Sequence, residues 1–196
     1  MKKSQTLLFA TSNANKLEEI RDILGATNIN VKGLIDLGFT DEIPETGNTL
    51  EENALIKAKF LYEKTGLSVL AEDTGLEVSA LGDAPGVHTA RYAGPARNAD
   101  DNMDKLLQEL SHKTDRTARF RTIIVLYDGR QTIYFEGIVT GNIAVQKSGI
   151  GGFGYDPLFI PAGYENTFAE LPKSVKNKIS HRAAAINKLC EYLKDC

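Results

Sequence analysis

Residues 71–75, AEDTG, set two adjacent carboxylates, Glu72 and Asp73, at the end of an apolar run. Carboxylates drawn into a core are costly to desolvate without a partner. A divalent cation is a good partner: Mg²⁺ takes hard oxygen ligands and commonly uses one or two carboxylates together with substrate phosphates. Glu45 in PETG is the acid best placed to join them. The competing reading is a solvated turn, which Asp73-Thr74-Gly75 suits by residue type.

Positive charge of a matching kind stands elsewhere in the chain. In FATSNANKLEEI, residues 9–20, Lys16 follows Ser12, Asn13 and Asn15 into the first turn of a helix. With no glycine this cannot be the loop G-x-x-x-x-G-K-[ST]. The helix dipole and free backbone N–H groups nonetheless favour an anion there. Simple N-capping by Ser12 or Asn13 is the alternative. Lys57 falls away from the centre of its helix's apolar stripe, where a solvated lysine is the ordinary outcome. GGFGYD, residues 151–156, frames Phe153 with glycines that let a backbone approach a ligand while the ring stacks on a planar base. A glycine-rich aromatic hairpin tip explains it equally well. SHRAAA, residues 180–185, puts His181 and Arg182 in a helix's first turn, where cations sit poorly unless an anion or a carbonyl oxygen is bound. Lys176 lies five residues upstream of His181. Phosphate donors, carboxylates for a metal, an aromatic platform and a polar base reader together form the equipment for a nucleoside triphosphate.

The elements that must position these groups follow from periodicity. TLLFAT (6–11) is a first strand, and Leu17, Ile20, Ile23 and Leu24 share a helical face that Gly25 ends. NINVKGL gives a second strand and residues 36–48 a loop. Thr49 and Glu52 form a capping box, opening a helix with Ala54, Leu55, Ala58, Leu61 and Tyr62 as its buried stripe and Gly66 as its stop. SVLAE (68–72) and LEVSAL (76–81) read as two strands, and residues 82–98 as an irregular segment. Met103, Leu106, Leu107 and Leu110 mark a helix opened by Asp100 and Asp101. TARFRTIIVLY alternates as a strand, and Asp128-Gly129 turns it back into QTIYFEGIVTGNIAV. PLFI is a short strand, and Ile186, Leu189, Cys190 and Leu193 define a final helix from Ser180. Alternating helices and strands followed by a hairpin predict an α/β fold with a mixed sheet, in two lobes with a cleft.

Bulk properties bound the function. The 196 residues are 42% hydrophobic and 25% charged, with a formal net charge of −3. That balance disfavours a nucleic-acid partner, so anionic charge must be met locally. No run approaches the roughly 18 apolar residues of a membrane span. The apolar run in MKKSQTLLFATSN is about five residues, short of the about 7–15 a signal peptide needs. Cys190 and Cys196 lack metal-ligand spacing, which fits a reduced, cytoplasmic protein.

The ordered set TSNANK, ENALIKA, AEDTGLEVSALGDAPGVHTARYAG, GGFGYDPLF and SHRAAA resembles the inosine triphosphate pyrophosphatase family, the non-canonical purine NTP pyrophosphatases of bacterial housecleaning type, over essentially the whole chain. The resemblance implies a single domain over residues 1–196: an elongated mixed sheet flanked by helices, two-lobed with a central cleft, in a homodimer. It implies a Mg²⁺-dependent hydrolase taking dITP, ITP and XTP to the monophosphate and pyrophosphate, thereby keeping them out of DNA and RNA. Residue by residue, the family's phosphate-binding stretch matches Thr11, Ser12, Asn13, Ala14, Asn15 and Lys16, and its helix lysine matches Lys57. The general base and metal ligand matches Asp73 and a substrate contact matches Thr74, while Glu72 stands where a second acid sits and shares the metal. On the acidic loop, where some members carry two glutamates, this chain has Pro44 and Glu45, leaving Glu45 as the metal ligand there. Phe153, Gly154, Tyr155 and Asp156, with Lys176, His181 and Arg182, match the remaining substrate contacts.

In that scheme Lys16, Lys57 and Mg²⁺ offset the charge of the triphosphate, and Asp73 orients and deprotonates the attacking water. An aspartate near its ordinary pKa of about 3.9 is a weak base, so a metal's acidification of water carries much of the activation. Donors from His181, Arg182 or backbone N–H would select the carbonyl at purine position 6 over adenine's amino group. A Maf-like pyrophosphatase fits the motifs less well. A silent nucleotide sensor has no use for Asp73.

Overall fold

A computed structural model describes residues 5–25, 29–39, 41 and 43–195. The first residues of MKKSQ, Asn28 at the head of the second strand, Thr40 and Glu42 of the acidic loop, and Cys196 lie outside the described residues. The chain divides into two compact units: the first holds the chain up to Asp73, Thr122–Gly137 and the chain from Arg182; the second holds Thr74–Arg121 and Ile138–His181.

In the first unit, β1 (Gln5–Phe9) pairs in parallel with β2 (Ile29–Gly33) and with the start of β3 (Val69–Val78), in the register Leu8–Val69 and Phe9–Leu70. Parallel neighbours need long crossovers. Here α1 (Ala14–Leu24) joins β1 to β2, and α2 (Leu50–Thr65) joins β2 to β3. The helix α5 (His181–Asp195) closes the chain. Leu17, Ile20 and Leu24 of α1 and Ala185, Ile186 and Leu189 of α5 bury against Leu7, Phe9, Leu70, Ile124 and Leu126. Each of these Leu, Ile and Phe side chains, fully buried, contributes about 1.5–3 kcal/mol.

The helix α2 begins as its capping signal predicts, with one shift. Thr49 Oγ1 accepts the Glu52 N–H at 3.1 Å, but the Glu52 carboxylate reaches back to the Asn48 N–H at 2.6 Å, one residue before the cap. The helix ends at Gly66, φ +64°, where a side chain would be strained. Its buried face is Leu50, Asn53, Ala54, Lys57, Ala58 and Leu61, so the stripe is rotated from the expected one and leaves Leu55 and Tyr62 half-buried. Thr49→Ala should cost about 1 kcal/mol of stability in chemical denaturation, because it orphans an N–H group at the helix start.

In the second unit, the far end of β3 pairs antiparallel with β4 (Ala84–Gly86), and β6 (Thr132–Ile143) ends against β7 (Phe159–Pro161), also antiparallel. α3 (Ala99–Glu109) is capped by Asn98, with Asp100 and Asp101 in its first turn. Met103, Leu106 and Leu110 pack there with Leu76, Val78, Phe120, Phe159 and Phe168. β5 (Thr117–Tyr127) precedes β6 through residues 128–131, a link short enough to make the pair a hairpin, and its stretch Thr122–Gly137, with the turn, belongs to the first unit. Overall the strands form a seven-stranded mixed sheet of order β2-β1-β3-β5-β6-β7 with β4 on β3, giving the α/β class that the sequence predicts.

Two expectations need correction. SVLAE and LEVSAL are not separate strands: β3 runs unbroken from Val69 to Val78, and Ser79–Leu81 is a turn of 3₁₀ helix. Asp73-Thr74-Gly75 therefore makes no turn. Local turn preference yields to the ladder and to a nearly continuous run of buried neighbours. The irregular segment 82–98 contains β4 and a 3₁₀ turn at Thr89–Arg91. One helix lies where the sequence reading assigned no element: α4 (Lys173–Ile179), KSVKNKI.

Candidate active site

The register of β1 and β3 determines what lies at the end of β1. Phe9 is level with Leu70, and the Ala10 N–H still donates to the Leu70 carbonyl at 2.7 Å. There the chain leaves the sheet, while β3 continues through Ala71, Glu72 and Asp73. These residues lie just past the carboxyl end of the parallel strand β1, the kind of place where α/β sheets hold ligands.

Thr11–Lys16 needs no glycine to turn. The Asn13 N–H donates to Thr11 Oγ1 at 3.1 Å, and the Lys16 N–H donates to Asn13 Oδ1 at 3.2 Å. Side chains supply the acceptors that a turn would otherwise take from the backbone. Ser12, Asn13, Ala14 and Asn15 are exposed, and Lys16 is half-buried.

Successive side chains on a strand point to opposite faces. The adjacent acids Glu72 and Asp73 are accordingly addressed by different helices and do not form a dyad. Glu72 is 2% exposed and faces α1 and α5. Its Oε1 accepts from Lys16 Nζ at 2.9 Å and Arg182 Nη2 at 2.7 Å, and its Oε2 from Arg182 Nε at 2.8 Å. The remaining terminal nitrogen of Arg182, Nη1, donates to Glu19. Burial works to raise the Glu72 pKa, but Arg182 and Lys16 outweigh it and hold the carboxyl well below the usual range.

Asp73 faces α2. Its Oδ1 accepts from Lys57 Nζ at 2.9 Å and its Oδ2 from Asn53 Nδ2 at 3.2 Å. The Lys57 ammonium also reaches Glu45 Oε1 at 3.1 Å. Asn53 in turn accepts the Gly47 N–H at 2.8 Å, tying the loop that carries Glu45 to the helix that carries Lys57. A Cβ at Gly47 would come within 2.6 Å of the Glu52 Cβ and 2.9 Å of the Asn53 N, so the loop docks this closely only with glycine. Lys57 is 6% exposed, not the solvated surface lysine that its place away from the centre of the expected stripe allowed. Burial works against its charge, yet Asp73 and Glu45 more than compensate and raise its pKa.

The second unit gathers the other sequence candidates. Lys176 Nζ donates to Asp156 Oδ2 at 2.5 Å, and the same oxygen accepts the Phe153 N–H at 2.7 Å. The ammonium lies 4.6 Å from the Phe153 ring centroid and 5.7 Å from that of Phe168, a cation–π arrangement that fixes the half-buried Phe153 ring. Gly152 is tightly confined, since a Cβ there would meet Asp156 Oδ2 at 2.0 Å. Gly154 has φ +63°. Tyr155 is buried and donates to the Thr89 carbonyl at 3.1 Å. His181 stacks on Phe120, centroids 4.7 Å apart, and Thr74 is half-buried at the strand position after Asp73.

The structure thus brings Lys16, Glu72 and Arg182 into one cluster and Glu45, Lys57 and Asp73 into another. Phe153, Asp156 and Lys176 form a third. Glu19 and Asn53 are additions that sequence reasoning missed. Asn53 carried a signal, being one helical turn before Lys57 on the same face. Glu19 carried none, since its partner is 163 residues away. Among the described residues, no three His, Cys, Asp or Glu side chains converge as a metal-ligand set, and no helix is long and apolar enough to cross a membrane.

The Ham1 family model matches residues 7–192 of this chain. A dITP/XTP pyrophosphatase of Porphyromonas gingivalis is 50% identical over 190 residues, covering 96% of this chain and 97% of that protein. One from Bacillus subtilis is 45% identical over 190 residues, covering 95% and 96%. Among solved structures, the Staphylococcus aureus Ham1 protein matches with a TM-score of 0.87 at 38% identity, covering 97% of this chain and 99% of that one. A HAM1 protein from Coxiella burnetii matches with a TM-score of 0.89 at 36% identity, covering 98% and 100%.

Proposed function

The chain belongs to the Ham1 family, and from that premise we propose that it hydrolyses non-canonical purine nucleoside triphosphates, dITP, XTP and ITP, to the monophosphate and pyrophosphate. The observation that carries the reading is the buried Lys57 ammonium shared by Asp73 and Glu45. Two hard-oxygen donors already converge on a cation there, beside the end of β1 that holds Thr11–Lys16. A pair of carboxylates suits Mg²⁺, which completes its shell with water and substrate phosphate and needs no third acid. When bound at Asp73 and Glu45, the metal would offset polyphosphate charge and acidify water.

The chain's own residues do the rest. Exposed N–H groups at the start of α1 and the Lys16 ammonium bind phosphate oxygens, with Glu72 and Arg182 fixing where Lys16 stands. Asp73, oriented by Asn53 Nδ2, takes the proton of the attacking water. Glu72 is used differently from the shared metal ligand of the sequence reading, because both its oxygens already bind Arg182. Phe153, flanked by Gly154, Tyr155 and Asp156 and steadied by Lys176, offers a face for the purine. Donors that meet a 6-carbonyl would face adenine's amino group unmatched, at about 1–3 kcal/mol per contact or roughly 5- to 150-fold. His181 is the side-chain reader assigned here. Arg182 could join it only by giving up a carboxylate. The homodimeric state and cytoplasmic location implied by the resemblance belong to the same proposal.

The test is a panel of dITP, XTP, ITP, dATP and dGTP incubated with the protein and Mg²⁺, with products separated. Monophosphate plus pyrophosphate from dITP and XTP, at a kcat/KM at least about fivefold above dATP, is expected from one unmatched donor. Release of orthophosphate alone, or equal use of dATP, contradicts the reading.

A further inference from the structure

Lys57 does something in this structure that a phosphate-binding lysine does not require. Its ammonium is buried on α2 between the two carboxylates assigned to the metal, 2.9 Å from Asp73 and 3.1 Å from Glu45. Asp73 keeps a second donor, Asn53 Nδ2 at 3.2 Å, that is independent of the lysine. The lysine stem is flexible and its ammonium is a compact point charge, able to exchange carboxylate oxygens for phosphate oxygens.

We propose that Lys57 is a resident counter-cation: it closes the Asp73–Glu45 pair to free divalent metal and yields it only when a polyphosphate takes up the ammonium. The inference rests on the proposed function for the identity of that polyphosphate. Its physical basis is competition. A divalent cation entering beside an ammonium on the same two oxygens meets like charge, and the carboxylates' attraction is already spent. A triphosphate removes the obstacle, so metal and nucleotide bind as a coupled pair, each raising the other's affinity by the same factor. The closed pair also keeps a metal from being held at the water-activating carboxylate while no substrate is present.

The test uses Mn²⁺ alone as the probe, with full-length, nucleotide-free protein, titrated by calorimetry or by the loss of the free-ion electron-spin signal. Lys57→Met should bind one Mn²⁺ more tightly than the unsubstituted protein by about 10–100-fold, the range over which groups touching metal ligands alter affinity. The same ion should then raise the variant's melting temperature more than that of the unsubstituted protein. Adding Glu45→Gln to Lys57→Met should abolish the gain. Should Lys57→Met fail to fold, Lys57→Gln, which keeps a donor without the charge, carries the same measurement. Unchanged or weaker Mn²⁺ binding on loss of the lysine overturns the proposal, as does a gain that survives Glu45→Gln. Hydrolysis of dITP without the Mn²⁺ gain defeats only this inference. The gain without hydrolysis of any nucleotide defeats only the proposed function.

Discussion

Asp73→Asn is expected to lower kcat for dITP by about 10²–10⁴-fold, the range that general-base groups contribute. The amide matches the carboxylate in shape but cannot accept a proton from water, and it is a poorer ligand for a hard cation. The surroundings predict that the fold survives. Lys57 keeps Glu45 at 3.1 Å, so the buried ammonium is not stranded. Asn53 retains the Gly47 N–H at 2.8 Å, so the loop bearing Glu45 stays docked. The measurement is steady-state turnover beside a thermal melt. A folded variant with near-full turnover removes Asp73 from the chemistry.

The second large effect concerns stability. Arg182 is 1% exposed and gives three donors to two buried acids, Glu72 and Glu19. Removing one partner of a buried ion pair leaves uncompensated charge and costs about 3–5 kcal/mol. Arg182→Ala should therefore lower the unfolding free energy by about that amount, a hundredfold or more in the folding equilibrium, with Lys16 left as a cation on Glu72. The loss arises from stranded carboxylates more than from lost attraction. Combining Arg182→Met with Glu72→Gln and Glu19→Gln should consequently recover most of the stability in equilibrium denaturation, because neutral groups of similar volume carry no such penalty. A triple variant as unstable as Arg182→Ala would show that the cluster contributes through its charges.

What the sequence disclosed about this fold was mostly local. Asn13, Thr49 and the apolar spacing of α1 announce helices because caps and stripes act within a few residues. The alternation of Ala118, Phe120, Thr122, Ile124 and Leu126 announces β5 for the same reason, and all five are buried. Where tertiary contacts decide, local signals misled. Asp73-Thr74-Gly75 has turn chemistry, yet ladder bonds and paired carboxylates keep it extended. Lys57 looked like a surface residue because its partners, Glu45 and Asp73, are 12 and 16 residues away. Among the candidate site residues, polar groups that no core could use were conspicuous. Which acid meets which base was not, since Arg182 finds Glu72 across 110 positions.

The central claim is that Lys16 and Asp73, both beyond the carboxyl end of β1, act on one polyphosphate. A crystal structure with Mg²⁺ and a non-hydrolysable dITP analogue tests it most directly. Phosphate oxygens should lie on Lys16 and the start of α1, with the bond between the first and second phosphorus within one water molecule of Asp73. A triphosphate bound elsewhere, or one held by Lys16 with Asp73 turned away from that bond, would contradict it.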